Sequence, residues 1–145
     1  MPVNLKKGTI TASSYMPGHP PANACIRRHS VLPWASSAKK GLPQFIYIKF
    51  KRSFVVAKFG FSSRSDCCLE HSPTHFKFLG SNDCKKWKVI RSYRTRFTKL
   101  KQHKIWTIPL KRRRPYRCYG IRVDKVLSGR VAAIKNFQLW KPKGL

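Results

Sequence analysis

Five residues able to do chemistry fall within eight positions of a 145-residue chain: Arg64, Asp66, Cys67, Cys68 and His71, in the stretch FSSRSDCCLEH. An arginine offers a planar, pre-organised fork of N–H donors, and a carboxylate two residues on can hold that fork in one rotamer. The pair suits a ligand rich in hydroxyl groups. His71 adds a third polar group, uncharged over much of the physiological pH range. The adjacent cysteines admit more than one state, including two free thiols with one buried and one in a loop. A zinc set of Cys67, Cys68, His71, His75 and Cys84 matches no usual ligand spacing, and neighbouring cysteines chelate one tetrahedral ion poorly, so no metal is expected. Acid–base catalysis finds no support. The chain has four acidic residues in all, no glycine-rich phosphate loop and no nucleophile motif, and its histidines lack an obvious carboxylate partner. The expectation is a protein that is not an enzyme and uses no cofactor.

Charge is the second signal. Thirty-two Lys and Arg against four Asp and Glu give a formal charge of +28, far beyond what surface ion pairs can balance, so an anionic partner is expected. Between Lys85 and Arg117 there are fourteen Lys or Arg in 33 residues and no acid. Arg91, Arg94, Arg96, Lys99, Lys101 and Lys104, interleaved with Tyr93 and Phe97, form one candidate polyanion-binding stretch. Lys111, Arg112, Arg113 and Arg114 form another, in KRRRP, which also fits a nuclear localisation patch.

These residues need elements to position them. Runs of β-branched and aromatic residues separated by Gly, Pro, Ser and Asn clusters predict strands near 8–13, 44–50, 54–61, 74–80, 86–92, 104–110, 116–125 and 132–140. Alternation puts Trp106, Ile108 and Leu110 on one face, and Tyr119, Ile121 and Val123 on another. Trp87 pairs with Val89 in the same way, and Trp87 and Trp106 are expected in the core. Eight antiparallel strands in one domain predict an all-β sandwich or jelly roll. Residues 14–43, with five prolines, read as a long ordered loop. The domain is expected over 9–141, between tails at 1–8 and 142–145. Asp83 in GSND reads as a turn residue bonding nearby backbone N–H groups. Five cysteines leave at least one unpaired if the others pair. MPVNLKKGTITASS has no signal-peptide character, and no run reaches transmembrane length.

Four stretches carry a family resemblance. TASSYMPGHPPANAC with LPWASS, QFIYIKF, FKFLGSNDCKKWKVI, and YRCYGIRVDK with AAIKNFQLW together resemble the discoidin (coagulation-factor C-type) branch of galactose-binding-like domains. The resemblance implies a galactose-binding-like β-sandwich jelly roll whose end loops bind a ligand without catalysis. Within that superfamily, RSDCC is similar to the sugar-site signature of F-type lectins. The resemblance implies that Arg64 donates to sugar hydroxyls, that Asp66 braces it, and that Cys67 and Cys68 join in a vicinal disulfide forming an apolar shelf. His71 falls at the family's second basic position. The family's loop histidine falls on Ser37 here, leaving His29 as the nearest candidate, and the conserved tryptophan corresponds to Trp34, which can pack or stack on a sugar. Relatives' calcium loop reads NACIRRHS here, with Arg27 and Arg28 in it, and the last strand offers Asn136 and Gln138, so calcium is not expected.

Two functions follow as expectations. One is carbohydrate recognition in adhesion at an extracellular surface, with the basic face adding affinity for acidic or cell-surface glycans. The other is a nucleic-acid or polyanion binder, nuclear or intracellular. A membrane surface is a third partner class, for which only Met16, Val31 and Leu32 offer apolar tips.

Overall fold

The computed structural model describes residues 1–26, 28, 31–64, 67–94 and 105–143. Among these residues nine strands form two antiparallel sheets. One has five strands in the order β1 (Thr9–Ala12), β3 (Gln44–Phe54), β8 (Tyr116–Val126), β5 (Pro73–Ser81), β6 (Lys88–Arg94). The other has four, in the order β2 (Trp34–Ala35), β9 (Ala133–Trp140), β4 (Lys58–Ser62), β7 (Trp106–Pro109). The chain is an all-β sandwich, and each of the eight strands read from the sequence is present. The ninth, β2, is two residues long, too short to leave a period-two pattern. It lies inside the proline-rich 14–43 segment, which also holds a 3₁₀ turn at Pro21–Cys25. Among the described residues no helix is long and apolar enough to cross a membrane.

The inward faces interlock as aromatic pairs. Phe59 of β4 stacks on Phe78 of β5, with centroids 4.2 Å apart and planes 5° off parallel, and Phe61 meets Phe76 edge-on at 5.0 Å. Offset and edge-on rings add about 0.5–1.5 kcal/mol per pair beyond area burial. Ile46, Ile48, Tyr119, Ile121, Val123, Phe137 and Leu139 complete the filling, all nearly or wholly excluded from water.

Trp87 departs from expectation. It lies half-buried on the outer face of the five-stranded sheet, 4.7 Å from Phe45 and 5.3 Å from Tyr47 between ring centroids. Phe45 can lie flat there because Gly120 sits beneath it, where a Cβ would strike its ring. The cause is a register shift: Phe78 faces Arg91, but Leu79 faces Val89. One extra residue on β6 resets the parity, so Ile90 and Tyr93 pack against the core while Trp87 and Val89 point outward. Trp106 is also half-buried, but it packs against the core, edge-on to Tyr93 and Phe76.

Register gives the sandwich two ends. Ser62, Pro73, Arg94 and Val126 lie at one, through the pairs Pro73–Val126 and His75–Arg94. Lys58, Ser81, Lys88, Pro109 and Tyr116 lie at the other, through Lys58–Pro109 and Gly80–Lys88. The Phe59–Phe78 and Phe61–Phe76 contacts align the two sheets in this sense. Nine residues of β5 set the ends roughly 25–30 Å apart, at about 3.3 Å per residue.

Candidate functional site

Strand β4 ends at Ser62, and the chain crosses the first end of the sandwich before β5 begins at Pro73. Arg64 sits at the start of this crossing, 4 % exposed, with Nη1 3.1 Å from His71 Nδ1. A guanidinium can only donate, so the imidazole accepts at Nδ1 and is neutral at that nitrogen. Burial and this bond hold the arginine in one pose. Cys67 and Cys68 are joined as a vicinal disulfide, with Cys67 exposed and Cys68 half-buried. Cys68 has φ 58° and ψ 54°, a left-handed conformation. Its carbonyl accepts from the His71 N–H at 2.9 Å, closing the 3₁₀ turn Leu69–His71.

That turn is fastened from outside. The Leu127 N–H donates to the Ser72 carbonyl at 3.0 Å, and the Ser128 N–H to the Glu70 carbonyl at 3.1 Å. Ser63 and Ser72 bury hydroxyls with no hydrogen-bond partner among the described residues. Such uncompensated polarity costs about 1–3 kcal/mol per group, and here it flanks the Arg64–His71 pair on both sides. The result is an exposed disulfide beside a fixed arginine and a neutral histidine, an arrangement that can offer an apolar edge and directed hydrogen bonds together.

Asp66 and His29 lie outside the described residues, as do Arg96, Lys99, Lys101 and Lys104. Trp34 does not join the site. It is wholly buried, its indole N–H donates to the Ser14 carbonyl at 2.9 Å, and a ligand cannot reach it. Its work is to fasten the long loop to the core. The zinc set is spent otherwise: Cys67 and Cys68 bond each other, and Cys84 bonds Cys118. Cys68, Glu70 and His71 do come together, but the Cys68 sulfur is in a disulfide and is no thiolate ligand. Cys25 is the free cysteine, and burial pushes its thiol up to about 12.

A residue the sequence reading passed over lies beside the loop that corresponds to the relatives' calcium loop. Lys135 on β9 is 4 % exposed, and its ammonium donates to the Val31 carbonyl at 2.7 Å. Asn136 explains why a strand lysine points inward. It has φ 54°, the β4–β9 register shifts beside it, and Ala133, Ile134 and Lys135 are buried in succession. The loop therefore meets a built-in cation, which opposes a divalent ion at the same place. A lysine directly after an apolar run, followed by an asparagine, was the one signal in the sequence.

The basic residues divide between the two ends. Arg94 stands at the Arg64 end, while Lys111, Arg112, Arg113 and Arg114 form an exposed turn at the opposite end. They do not line one face with Arg64. Arg91 is occupied: its Nη1 donates to the Pro109 carbonyl at 2.6 Å and its guanidinium lies 5.1 Å from the Tyr93 ring centroid. It ties the edge strands of the two sheets together. Asp83 behaves as its turn requires, accepting from the Lys85 and Lys86 N–H groups at 2.8 and 2.9 Å and from the Ser81 hydroxyl. Those bonds, led by Lys86, hold its carboxyl at about 2.

The sandwich is the galactose-binding-like one of a discoidin-like domain. The sequence profile of the F5/8 type C domain matches residues 9–114, and the chain belongs to that family. No curated protein sequence matches it. Among solved structures, it is similar to the family 32 carbohydrate-binding module of NanJ from Clostridium perfringens in complex with galactose: TM-score 0.80, 13 % identity, covering 95 % of this chain and 96 % of that one. A module from a family 31 glycoside hydrolase of Clostridium perfringens superposes with TM-score 0.83 at 15 % identity, over 97 % and 95 %. Chitosan-binding module 1 of a Paenibacillus sp. IK-5 chitosanase/glucanase gives 0.75 at 19 %, over 95 % and 98 %. At these identities the likeness is one of fold.

Proposed function

We propose that this chain is a non-catalytic carbohydrate-binding module acting in adhesion or recognition. The observation that carries the proposal is the exposed Cys67–Cys68 disulfide beside the fixed Arg64–His71 pair at one end of the sandwich. A sugar ring has an apolar edge and a rim of hydroxyls, and this end offers a counterpart to each. The disulfide takes the C–H edge, Arg64 donates to ring or hydroxyl oxygens, and His71 keeps Arg64 in place. Asp66 and His29 belong to the proposed site on sequence grounds. The solved relatives include modules in complex with galactose and with 4,5-unsaturated mannuronic acid, which supports a saccharide as ligand class. Two disulfides also fit an oxidising, extracellular setting.

The test is a glycan panel of neutral fucosylated and galactosylated sugars with wild type and Arg64→Ala, with and without reductant. Salt-resistant binding of a neutral glycan, lost in Arg64→Ala and on reduction, is the expected result. Unchanged binding by Arg64→Ala would refute it. The net charge of +28 favours a second reading, a nucleic-acid or polyanion binder. That reading predicts binding that collapses with salt, with a log–log slope near −0.9 per phosphate contact on duplex DNA.

A further inference from the structure

At the end opposite Arg64, the 111–115 turn and the start of β6 enclose a cleft of about 430 Å³ lined by Lys88, Arg112, Arg113 and Arg114 with Val89 and Tyr116. We propose that this cleft is a binding site for a sulfated polysaccharide, separate from the saccharide site at Arg64 and independent of it.

Three observations support the proposal. First, the turn is held rigid from several directions. Arg113 Nε donates to the Leu110 carbonyl at 2.9 Å, and the Leu110 N–H donates to Ala57 at 2.8 Å. The Tyr119 hydroxyl, donating to Phe54, also lies 3.2 Å from the Arg114 carbonyl and accepts from the Tyr116 N–H at 3.2 Å. The Cys84–Cys118 disulfide anchors the neighbouring turn. The backbone bearing the guanidinium groups is thus in place before a ligand arrives, which lowers the ordering cost of binding.

Second, these cations have no local acid to answer them. The ion pairs among the described residues are Lys77–Asp124 at 3.7 Å and Arg122–Asp124 at 3.1 Å, both made by one aspartate. Asp83, the acid nearest this end in the register, already bonds two backbone N–H groups and Ser81. Lys88, Arg112, Arg113 and Arg114 are exposed around one concavity. Guanidinium groups match sulfate geometry with paired donors.

Third, the shape selects among polyanions. The volume falls in the range that takes a ligand of a few rings, so a single flexible chain can enter it and a rigid duplex cannot. Single-stranded nucleic acid also needs free ring faces for its bases. Tyr116, the aromatic residue in the lining, is committed elsewhere: its ring covers Gly80, where a Cβ would strike it, and meets Tyr119 edge-on at 5.9 Å. Aliphatic Val89 and Ile90 suit the less polar faces of sugar rings.

The experiment titrates a size-defined heparin oligosaccharide into wild type, Lys88→Ala/Arg112→Ala/Arg114→Ala, and the charge-matched Lys39→Ala/Lys40→Ala/Lys125→Ala. The control residues are exposed and lie toward the Arg64 end. Arg113 is kept because it braces the turn, and thermal melts verify that each variant folds. The cleft variant should raise Kd at least about tenfold and the control less than about threefold, since local, pre-organised charges are removed in one case and remote ones in the other. Equal losses in the two variants would overturn the site in favour of diffuse charge. Tighter binding of a single-stranded oligonucleotide than of heparin, lost in the cleft variant, would overturn the ligand class. The neutral-glycan panel, run in parallel, reports on the Arg64 end alone, so failure there and failure here are read separately.

Discussion

The two disulfides should have opposite jobs, and removing each in turn separates them. Cys84 and Cys118 are 34 residues apart, joining the Asp83 turn to β8. Closing a loop of that length in the unfolded chain is worth about 4 kcal/mol in the chain-entropy treatment. Cys67 and Cys68 are neighbours in sequence, so their bond closes no loop and removes almost nothing from unfolded-state entropy. Cys84→Ala/Cys118→Ala should therefore lose about 4 kcal/mol in urea unfolding followed by tryptophan fluorescence. At about 2–4 °C per kcal/mol for a chain of this size, Tm should fall by roughly 8–16 °C. Below the transition it should keep its neutral-glycan binding, because the bond lies at the far end from Arg64. Cys67→Ala/Cys68→Ala should unfold within about 1 kcal/mol of wild type yet lose glycan binding. If the vicinal pair proves the stabilising one, or its removal leaves glycan binding intact, the assignment of shelf and staple is wrong.

Asp83 links stability to acid. Its carboxyl is held at about 2, chiefly by the Lys86 N–H, below the ordinary value of 3.8. A depressed folded-state value contributes stability above the unfolded pKa and loses it as pH falls toward the folded one. The stability gap between wild type and Asp83→Ala should thus be full at pH 5 and close between about pH 4 and 2, as read by urea midpoints; a constant gap would refute it. Cys25, with its thiol raised to about 12, should resist a thiol-specific reagent at pH 8 in the native protein and react once the chain is unfolded. Rapid native labelling would contradict its burial. Tyr119→Phe removes a hydroxyl bonded to Phe54 and Tyr116 and should cost about 1–3 kcal/mol. It should also weaken heparin binding by loosening the Arg114 turn, whereas a stability loss without that weakening would show the turn holds without it.

Much of the molecule was legible before any coordinates. The eight longer strands announce themselves through runs of β-branched and aromatic residues between turn clusters, and several also through the period-two alternation of a half-buried strand. RSDCC is also local: Arg64, the cysteines and His71 lie close enough in sequence that one short crossing can gather them. The Asp83 turn is of the same kind, a side chain bonding backbone a few residues away. What the sequence could not decide is everything that depends on register. A single extra residue on β6 turned Trp87 from the core to the outer face, and another irregularity at Asn136 turned Lys135 inward to meet the loop at Val31. Nor does composition say where charges lie. Lys85 to Arg117 is one basic run in the chain, but antiparallel strands carry its members to opposite ends of the sandwich. The pairing of Cys84 with Cys118 likewise waits on β5 lying beside β8. Local chemistry is written in neighbouring residues, whereas the meeting of distant ones is set by how strands pair, and only the folded sheets fix that.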